Sequence, residues 1–130
     1  MPSAIPQTSN AVWSWPDSLD ALTAARAHHK LLLENEMVRV VQTRIPAGQT
    51  VPLHTHRWPG VLFIATWSDI IRRDQHGNAI LDTRRLADKP TLNAPLWQEP
   101  LPPHTLENVG DIEFNAVQIE IKDAPSLNEE

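Results

Sequence analysis

From Lys30 onward, short apolar and β-branched segments alternate with turns that contain proline, glycine or asparagine. The segments MVRVVQTRI and DIEFNAVQIEI are typical of β-strands, because Val, Ile and Thr fit a pleated sheet well. VLFIAT is a short, continuous apolar run, which predicts a strand buried on both faces. Many short strands with proline-rich corners predict an all-β sandwich or barrel, whose interior can hold a small ligand or a metal ion.

Three further segments complete the organisation. DIIRRD and AILDT are predicted to form a hairpin, in which Gly77 and Asn78 supply residues that tolerate positive φ. The next stretch is predicted to stay out of helices and central strands because of its prolines, which are Pro90, Pro95, Pro100, Pro102 and Pro103. At the front, SLDALTAARA predicts a short helix capped by Asp17 or Ser18. We therefore expect an irregular or short-helical arm at 1–29, a barrel at 30–122 and a tail at 123–130.

Composition excludes several classes of function. A chain of 130 residues is long enough for one domain with a buried core, and its net charge of -5 argues against a nucleic-acid partner. The basic pairs Arg72-Arg73 and Arg84-Arg85 are interpreted as a solvated hairpin face. Because cysteine is absent, disulfides, thiolate metal sites and cysteine nucleophiles are excluded within this chain. With no signal-peptide pattern and no apolar run of membrane-spanning length, we expect a cytoplasmic protein without a membrane partner.

The segment VPLHTHRWPG places His54 and His56 one residue apart. On a strand, such side chains point to the same face with Cβ atoms roughly 6 to 7 Å apart. Two imidazoles at that spacing can bind one ion at about 2.1 Å from each nitrogen, or they can be two polar residues at a wet edge. His104, which follows Pro102-Pro103, is a third candidate from a distant segment.

These segments resemble the two motifs of the cupin superfamily. GQTVPLHTH matches the opening Gly-(five residues)-His-X-His of the first motif, and HTLEN matches the closing His-(three residues)-Asn of the second. The resemblance covers about residues 30–122 and extends to the lead-in of small bacterial single-domain cupins of the RmlC-like type. The sequence departs from the family pattern at three places. Gly60 stands where the first motif usually has a Glu, and the glycine that usually ends this motif is missing near Trp67. EPLPPH replaces the Pro-X-Gly of the second motif.

The resemblance implies a double-stranded β-helix, or jelly-roll, barrel with one divalent metal ion. By position, His54, His56 and His104 would be the ligands, as in the three-His subgroup that lacks the carboxylate. Fe(II) is the expected ion, with Ni, Zn, Mn and Cu as alternatives, because imidazole suits several transition metals. The expected function is a metal-dependent dioxygenase acting on a small chelating substrate such as a β-dicarbonyl. A metal-assisted isomerase or lyase and a non-catalytic binding or sensing module are the alternatives, and a homodimer is implied.

No catalytic residue is assigned from the sequence, but several residues are pocket candidates. Trp58 and Trp97 either line the mouth of the pocket or belong to the core, and Gly60 either opens a coordination position or marks a lost one. Gln118 either faces the interior or solvates an edge, and the second interpretation is preferred for Glu120. The full set of pocket candidates is Trp58, Gly60, Arg39, Trp97 and Gln118. We expect Asn108 to bond the backbone, and we expect no metal-binding role for His28, His29 and His76.

Overall fold

A computed structural model describes residues 13–122 of the chain. It contains nine strands and one short α-helix, α1, at Ala21–Ala24. The strands are β1 (His29–Glu34), β2 (Val38–Ile45), β3 (Thr50–His56), β4 (Gly60–Thr66), β5 (Ile70–Asp74), β6 (Ala79–Asp82), β7 (Leu96–Gln98), β8 (Leu101–Asn108) and β9 (Phe114–Ile121). Short 3₁₀ helices lie at Asp17–Leu19 and Thr83–Arg85. No helix among the described residues has the length and apolarity needed to cross a membrane.

The strands form two sheets. One has five strands in the order β1-β2-β9-β4-β7, and the other has four in the order β3-β8-β5-β6. Every ladder between these strands is antiparallel. The inward faces of the two sheets enclose a core that includes Ile45, Val51, Ile64, Ile70 and Phe114. The prediction of an all-β jelly-roll barrel is confirmed.

The hairpin of β5 and β6 forms as its sequence predicts. Gly77 has a φ of 90°, a conformation that glycine adopts without strain. The carboxylate of Asp74 accepts hydrogen bonds from the backbone N–H groups of His76 and Asn78, which fixes the turn. Asn108 also behaves as expected, because its side-chain amide donates to the carbonyls of Ile45 and Ile112.

The prediction that the prolines stay out of central strands is wrong for Pro102 and Pro103. Both lie in β8, which pairs with β3 on one side and β5 on the other. The ladder with β5 begins only at His104, and the ladder with β3 shifts register between the His54 and His56 pairs. The strand tolerates prolines here because they lie at an irregularity, where a missing N–H removes no regular ladder bond.

Two local predictions also need correction. The VLFIAT segment in β4 is not buried on both faces, because Ala65 is exposed while Ile64 faces the core. An antiparallel strand covered on one side needs only alternate residues to be buried. The cap of α1 is Asp20, whose carboxylate accepts from the N–H of Leu22, whereas the prediction named Asp17 or Ser18. Residues 1–12 and 123–130, predicted as part of the arm and as the tail, lie outside the described residues, and the division into arm, barrel and tail stays a prediction.

Candidate metal centre

His54 and His56 lie in β3 with both side chains buried. Their ring centroids are 5.0 Å apart, so the two imidazoles do converge on one region of the interior. The ladder between β3 and β8 shifts register on each side of His54. Irregularities of this kind redirect side chains locally.

His29 belongs to the same group, which corrects the expectation that it has no metal-binding role. It is the first residue of β1, where its pairing partner is Thr43, and it is the one buried residue of that strand. The potential ligand atoms of His29, His54 and His56 all lie within 4.8 Å of one another. The sequence signal was weak, because a histidine at the first position of a strand does not reveal which face of the barrel it joins.

His104 lies beside these three rings. It occupies β8 directly across from His54, and their ring centroids are 4.2 Å apart. The centroid of its ring is 5.7 Å from that of His56. We call the four imidazoles the histidine cluster: His29, His54, His56 and His104.

Each ring of the histidine cluster has its Nδ1 atom engaged by an acceptor of the protein. His54 Nδ1 is 2.7 Å from the carbonyl oxygen of Pro52, and His104 Nδ1 is 2.8 Å from that of Pro102. His29 Nδ1 lies 3.0 Å from the carbonyl oxygen of Ala25. His56 Nδ1 lies 3.1 Å from a carboxylate oxygen of Glu120. Because an acceptor requires a proton on Nδ1, the neutral rings carry their lone pair on Nε2.

Burial favours the neutral form of His29, His54 and His104. It lowers the pKa of His29 to about 4 and the pKa of His104 to about 3. Burial also lowers the pKa of His54, and the neighbouring His104 and His56 lower it further. A neutral imidazole whose second nitrogen is held by an acceptor is the form in which histidine binds metal ions. The donor set of the histidine cluster therefore fits a divalent transition metal.

Glu120 is inside the barrel, so the preferred interpretation of an edge residue is wrong. Its side chain is 0% exposed, and its second carboxylate oxygen accepts from Arg39 Nε at 2.7 Å. Arg39 also donates to both carboxylate oxygens of Asp20, at 3.0 and 2.9 Å. We call Asp20, Arg39, Glu120 and His56 the Arg39 network. It fixes the orientation of the His56 ring, since the carboxylate of Glu120 accepts from Nδ1 of the imidazole.

The alternation along β9 explains why the sequence misled. Phe114, Ala116, Gln118 and Glu120 face the interior, whereas Val117 lies on the outer face. The more apolar side of this strand thus faces outward. A signal was present, because Glu120 shares its side of β9 with Phe114, a typical core residue.

Gly60 does not line the cavity around the histidine cluster. It pairs with Glu120, and a Cβ atom at this position would lie 1.9 Å from the carbonyl oxygen of Ile119. The glycine is therefore required by the close approach of β4 to β9. Glu120 is the one carboxylate of these two strands, and its two oxygens are bonded to Arg39 and His56.

The remaining pocket candidates divide into two groups. Trp58 lies outside the cavity of the histidine cluster, with the guanidinium carbon of Arg39 5.0 Å from its ring centroid. Trp97 is 56% exposed and donates to Glu99, so it belongs neither to that cavity nor to the core. Gln118 does face the cavity, as the interior interpretation predicted. Arg39 is buried but does not line that cavity, and its guanidinium donates to the carboxylates of Glu120 and Asp20.

A cavity of about 180 Å³ lies between the sheets with the histidine cluster in its wall. Most of its other lining residues are apolar, among them Leu62, Ile64, Leu81, Leu96, Leu106 and Phe114. Arg72 also lines this cavity, which corrects its interpretation as part of a solvated hairpin face. Arg73, its neighbour on β5, pairs with Glu107, while Arg84 and Arg85 are exposed as expected.

Comparison with known proteins identifies the fold. No family model matches this sequence, and no curated protein matches it either. Among solved structures, a cupin domain from Bordetella pertussis superposes with a TM-score of 0.59 and 24% sequence identity, over 72% of this chain and 91% of that one. A conserved protein with a double-stranded β-helix domain from Klebsiella pneumoniae has a TM-score of 0.52 and 13% identity, over 88% of this chain and 95% of that one. An RmlC-like cupin protein from Methanocaldococcus jannaschii has a TM-score of 0.50 and 12% identity, over 72% of this chain and 77% of that one. The chain therefore has the cupin fold, the RmlC-like double-stranded β-helix that its two histidine motifs predict.

Proposed function

We propose that the histidine cluster binds one divalent metal ion and that the protein is a metal-dependent enzyme. The four rings give two candidate triads of ligands, and both contain His54 and His56. His29 completes one triad, and His104 completes the other. The observation that carries this proposal is the hydrogen bonding of the four rings, each of which has Nδ1 engaged by an acceptor. That arrangement leaves Nε2 as the ligand atom of each neutral ring, and the ligand atoms of His29, His54 and His56 form a group within 4.8 Å that does not include His104.

The identity of the ion follows from the chemistry of the ligands. Imidazole nitrogens favour Fe(II), Ni, Cu and Zn over Mg or Ca, and Mn is also compatible. We propose Fe(II) as the native ion. Because all ligands are neutral, the full double charge of the ion stays available to attract anionic or enolate oxygens. When bound, such an ion supplies Lewis acidity and a template for a chelating substrate.

The reaction that we propose is a dioxygenase reaction on a small chelating substrate such as a β-dicarbonyl. The protein's contribution is positional: Glu120 orients His56, and the backbone carbonyls of Pro52 and Pro102 orient His54 and His104. The apolar lining of the cavity excludes water from the substrate and strengthens electrostatic interactions there. An isomerase or lyase reaction would use the same cavity without oxygen.

Metal analysis of protein purified without a His-tag tests the site. We expect about one ion per chain in the wild type and almost none in His54→Ala and His56→Ala, because each change removes a ligand common to both triads. His29→Ala and His104→Ala then show whether the third and fourth rings bind the ion. His28→Ala is the matched control, since His28 bonds Gln49 instead of lining the cavity. Unchanged metal content in His54→Ala would disprove the site.

Oxygen uptake tests the reaction. Fe(II)-loaded protein is expected to consume oxygen with at least one member of a panel of β-dicarbonyls, thiols and catechols. His56→Ala should consume none. If the loaded wild type binds a panel member without consuming oxygen or converting it, the protein is a binding or sensing module instead.

We also propose that the protein is a homodimer, as the resemblance implies. Edge strand β1 exposes Leu31, Leu32 and Leu33. Exposed apolar residues of this kind often mark an interface. Light scattering after size exclusion should give twice the chain mass for the wild type and the single mass for Leu32→Asp. Ile80→Asp, on the other sheet, is the control that should leave the dimer intact.

A further inference from the structure

Three residues of the cavity wall each have a buried side-chain nitrogen without a hydrogen-bond partner in the described part of the chain: Trp67, Arg72 and Gln118. Arg72 and Gln118 are the two with polar side chains. Arg72 reaches the cavity from β5, and its Nε atom is buried without a hydrogen-bond partner among the described residues. Gln118 reaches it from β9 in the other sheet, and its Nε2 atom is likewise buried and unpartnered within the described part of the chain. Gln118 is only 3% exposed. We call Arg72 and Gln118 the donor pair.

Buried donors without acceptors are costly, so a native protein that keeps them requires a reason. Each such group loses roughly 1 to 3 kcal/mol of hydration that no protein contact restores. Arg72 makes no ion pair within residues 13–122, and burial alone lowers the pKa of its guanidinium. A ligand that supplies the missing acceptors would remove this cost.

The charge balance of the cavity indicates which acceptor fits. No Asp or Glu is among the described residues that line the cavity, whereas Arg72 contributes a positive charge. Glu120, behind His56, already has both oxygens bonded. Bound metal would add two further positive charges to the same space. The cavity is therefore electrostatically suited to an anion.

The rest of the lining indicates the body of the ligand. The other cavity residues near the donor pair are largely aliphatic, such as Leu62, which pairs with Gln118, and Leu106, which pairs with Arg72. The cavity measures about 180 Å³. An apolar cavity of about 150 Å³ can hold a benzene ring. A ring-sized apolar body with one small anionic group matches both the lining and the volume.

We infer that the substrate is a small organic anion with a ring-sized apolar body, whose carboxylate or enolate oxygens bind the donor pair. Arg72 pairs with the negative charge, for which its planar fork of N–H donors is suited, and Gln118 donates to a second oxygen. Arg72 is thus a specificity-determining residue. This inference rests on the proposed function for the identity of the ligand as substrate, but anion binding by Arg72 is measurable without any metal.

Calorimetric titration with three probes tests the inference. Benzoate carries both the ring and the charge, benzamide keeps the ring without the charge, and acetate keeps the charge without the ring. Metal-free protein should bind benzoate at least about tenfold more tightly than benzamide or acetate, since a charge-assisted hydrogen bond is roughly twice as strong as a neutral one. Quenching of tryptophan fluorescence is a second readout, because Trp67 lines the cavity.

Variants assign the effect to Arg72. Arg72→Met should bind benzoate and benzamide equally, whereas Arg72→Lys should retain a preference for benzoate because it retains the charge. Gln118→Leu should weaken benzoate binding several-fold. Arg73→Met, one residue along β5 and paired with Glu107, is the control that should keep the full preference. Circular dichroism establishes that each variant is folded.

The outcomes separate the inference from the proposed function. Equal affinity of the wild type for benzoate and benzamide would overturn the inference, as would a preference that survives in folded Arg72→Met. Failure to bind benzoate at all would also overturn it. Titrating the metal-free protein with zinc tests the metal site independently. If the wild type binds no zinc but keeps its preference for benzoate, the proposed function is disproved and the inference stands.

Discussion

Arg39 in β2 and Arg72 in β5 both point into the protein, but only Arg39 has carboxylate partners there. Arg39 donates to Glu120 and to both oxygens of Asp20, so its charge is more than balanced. Arg72 lines an apolar cavity without an ion-pair partner in the described part of the chain. Sequence alone does not distinguish them, since each follows a β-branched apolar residue in a strand, Val38 before Arg39 and Ile71 before Arg72.

The difference separates stability from function. In the Arg39 network, every charged group has a partner inside the protein, and the result is a fixed orientation for His56. In the donor pair, the partners are missing, which favours a ligand from outside. A protein keeps an unsatisfied group of this kind where function gains from it, at some cost to stability. Substitutions in the two regions should therefore act in opposite directions.

Removing Arg39 should produce the largest effect. Arg39→Leu leaves Glu120 and Asp20 without their cation, and breaking a buried ion pair costs about 3 to 5 kcal/mol of unfolding free energy. Urea denaturation of the metal-free protein measures the loss. The control is Arg44→Leu on the same strand, whose exposed pair with Glu113 should contribute less than about 1 kcal/mol. Similar losses in both variants would contradict the contrast.

Acid should destabilise the histidine cluster while leaving Arg72 charged. The pKa of His29 is about 4 in the folded protein and 6.5 ordinarily, so the unfolded state binds more protons between these values. The free energy of unfolding should thus fall as the pH drops from about 6.5 toward 4. For His29 alone the total loss is about 3 kcal/mol, at 1.36 kcal/mol for each unit of pKa.

Denaturation of the metal-free protein at pH 7, 6 and 5 measures this slope. His29→Gln should reduce the slope without abolishing it, because the lowered pKa values of His54 and His104 still contribute. His76→Gln should leave it unchanged, because His76 lies in the exposed hairpin turn. Stability that is constant over this range would show that the buried rings accept protons without loss of structure.

Neutralising Glu120 should weaken metal binding without removing a ligand. In Glu120→Gln, an NH2 group replaces one carboxylate oxygen. Because this group cannot accept a hydrogen bond, the side chain no longer has a separate acceptor oxygen for each of Arg39 and His56. Losing such an outer partner typically lowers metal affinity about 10- to 100-fold. Zinc titration by calorimetry measures the change. Glu107→Gln, which affects a partly exposed pair with Arg73, should leave the affinity unchanged, and equal effects would argue against an orienting role for Glu120.

Removing Arg72 should have the smallest effect on stability, with the opposite sign to that of Arg39. Arg72→Met deletes an unpartnered buried donor and replaces it with an apolar side chain of similar length. We expect the unfolding free energy of the ligand-free protein to stay constant or to rise by about 1 kcal/mol. Thermal denaturation without ligand measures it. A clear loss of stability would mean that Arg72 has a structural partner after all.

Local sequence patterns account for much of the fold. β-Branched segments predicted β2 and β9, Gly77 predicted the hairpin of β5 and β6, and the resemblance to the cupin motifs predicted the barrel. The spacing of His54 and His56 also determined that they share a face, because side chains two apart on a strand point the same way. These features depend on neighbouring residues only, and the sequence contains that information directly.

Tertiary structure decided which faces meet. The sequence placed Gln118 and Glu120 on the same side of β9, but only the assembled sheets show that this side is the interior. His29 and Arg72 join the cavity through ladders with distant strands, and register shifts in β1, β3 and β5 alter which side chains point inward. Pro102 and Pro103 are tolerated in β8 because the ladder with β3 shifts register at this point. Pairing between distant segments determines register and burial, and no local pattern of residues specifies it.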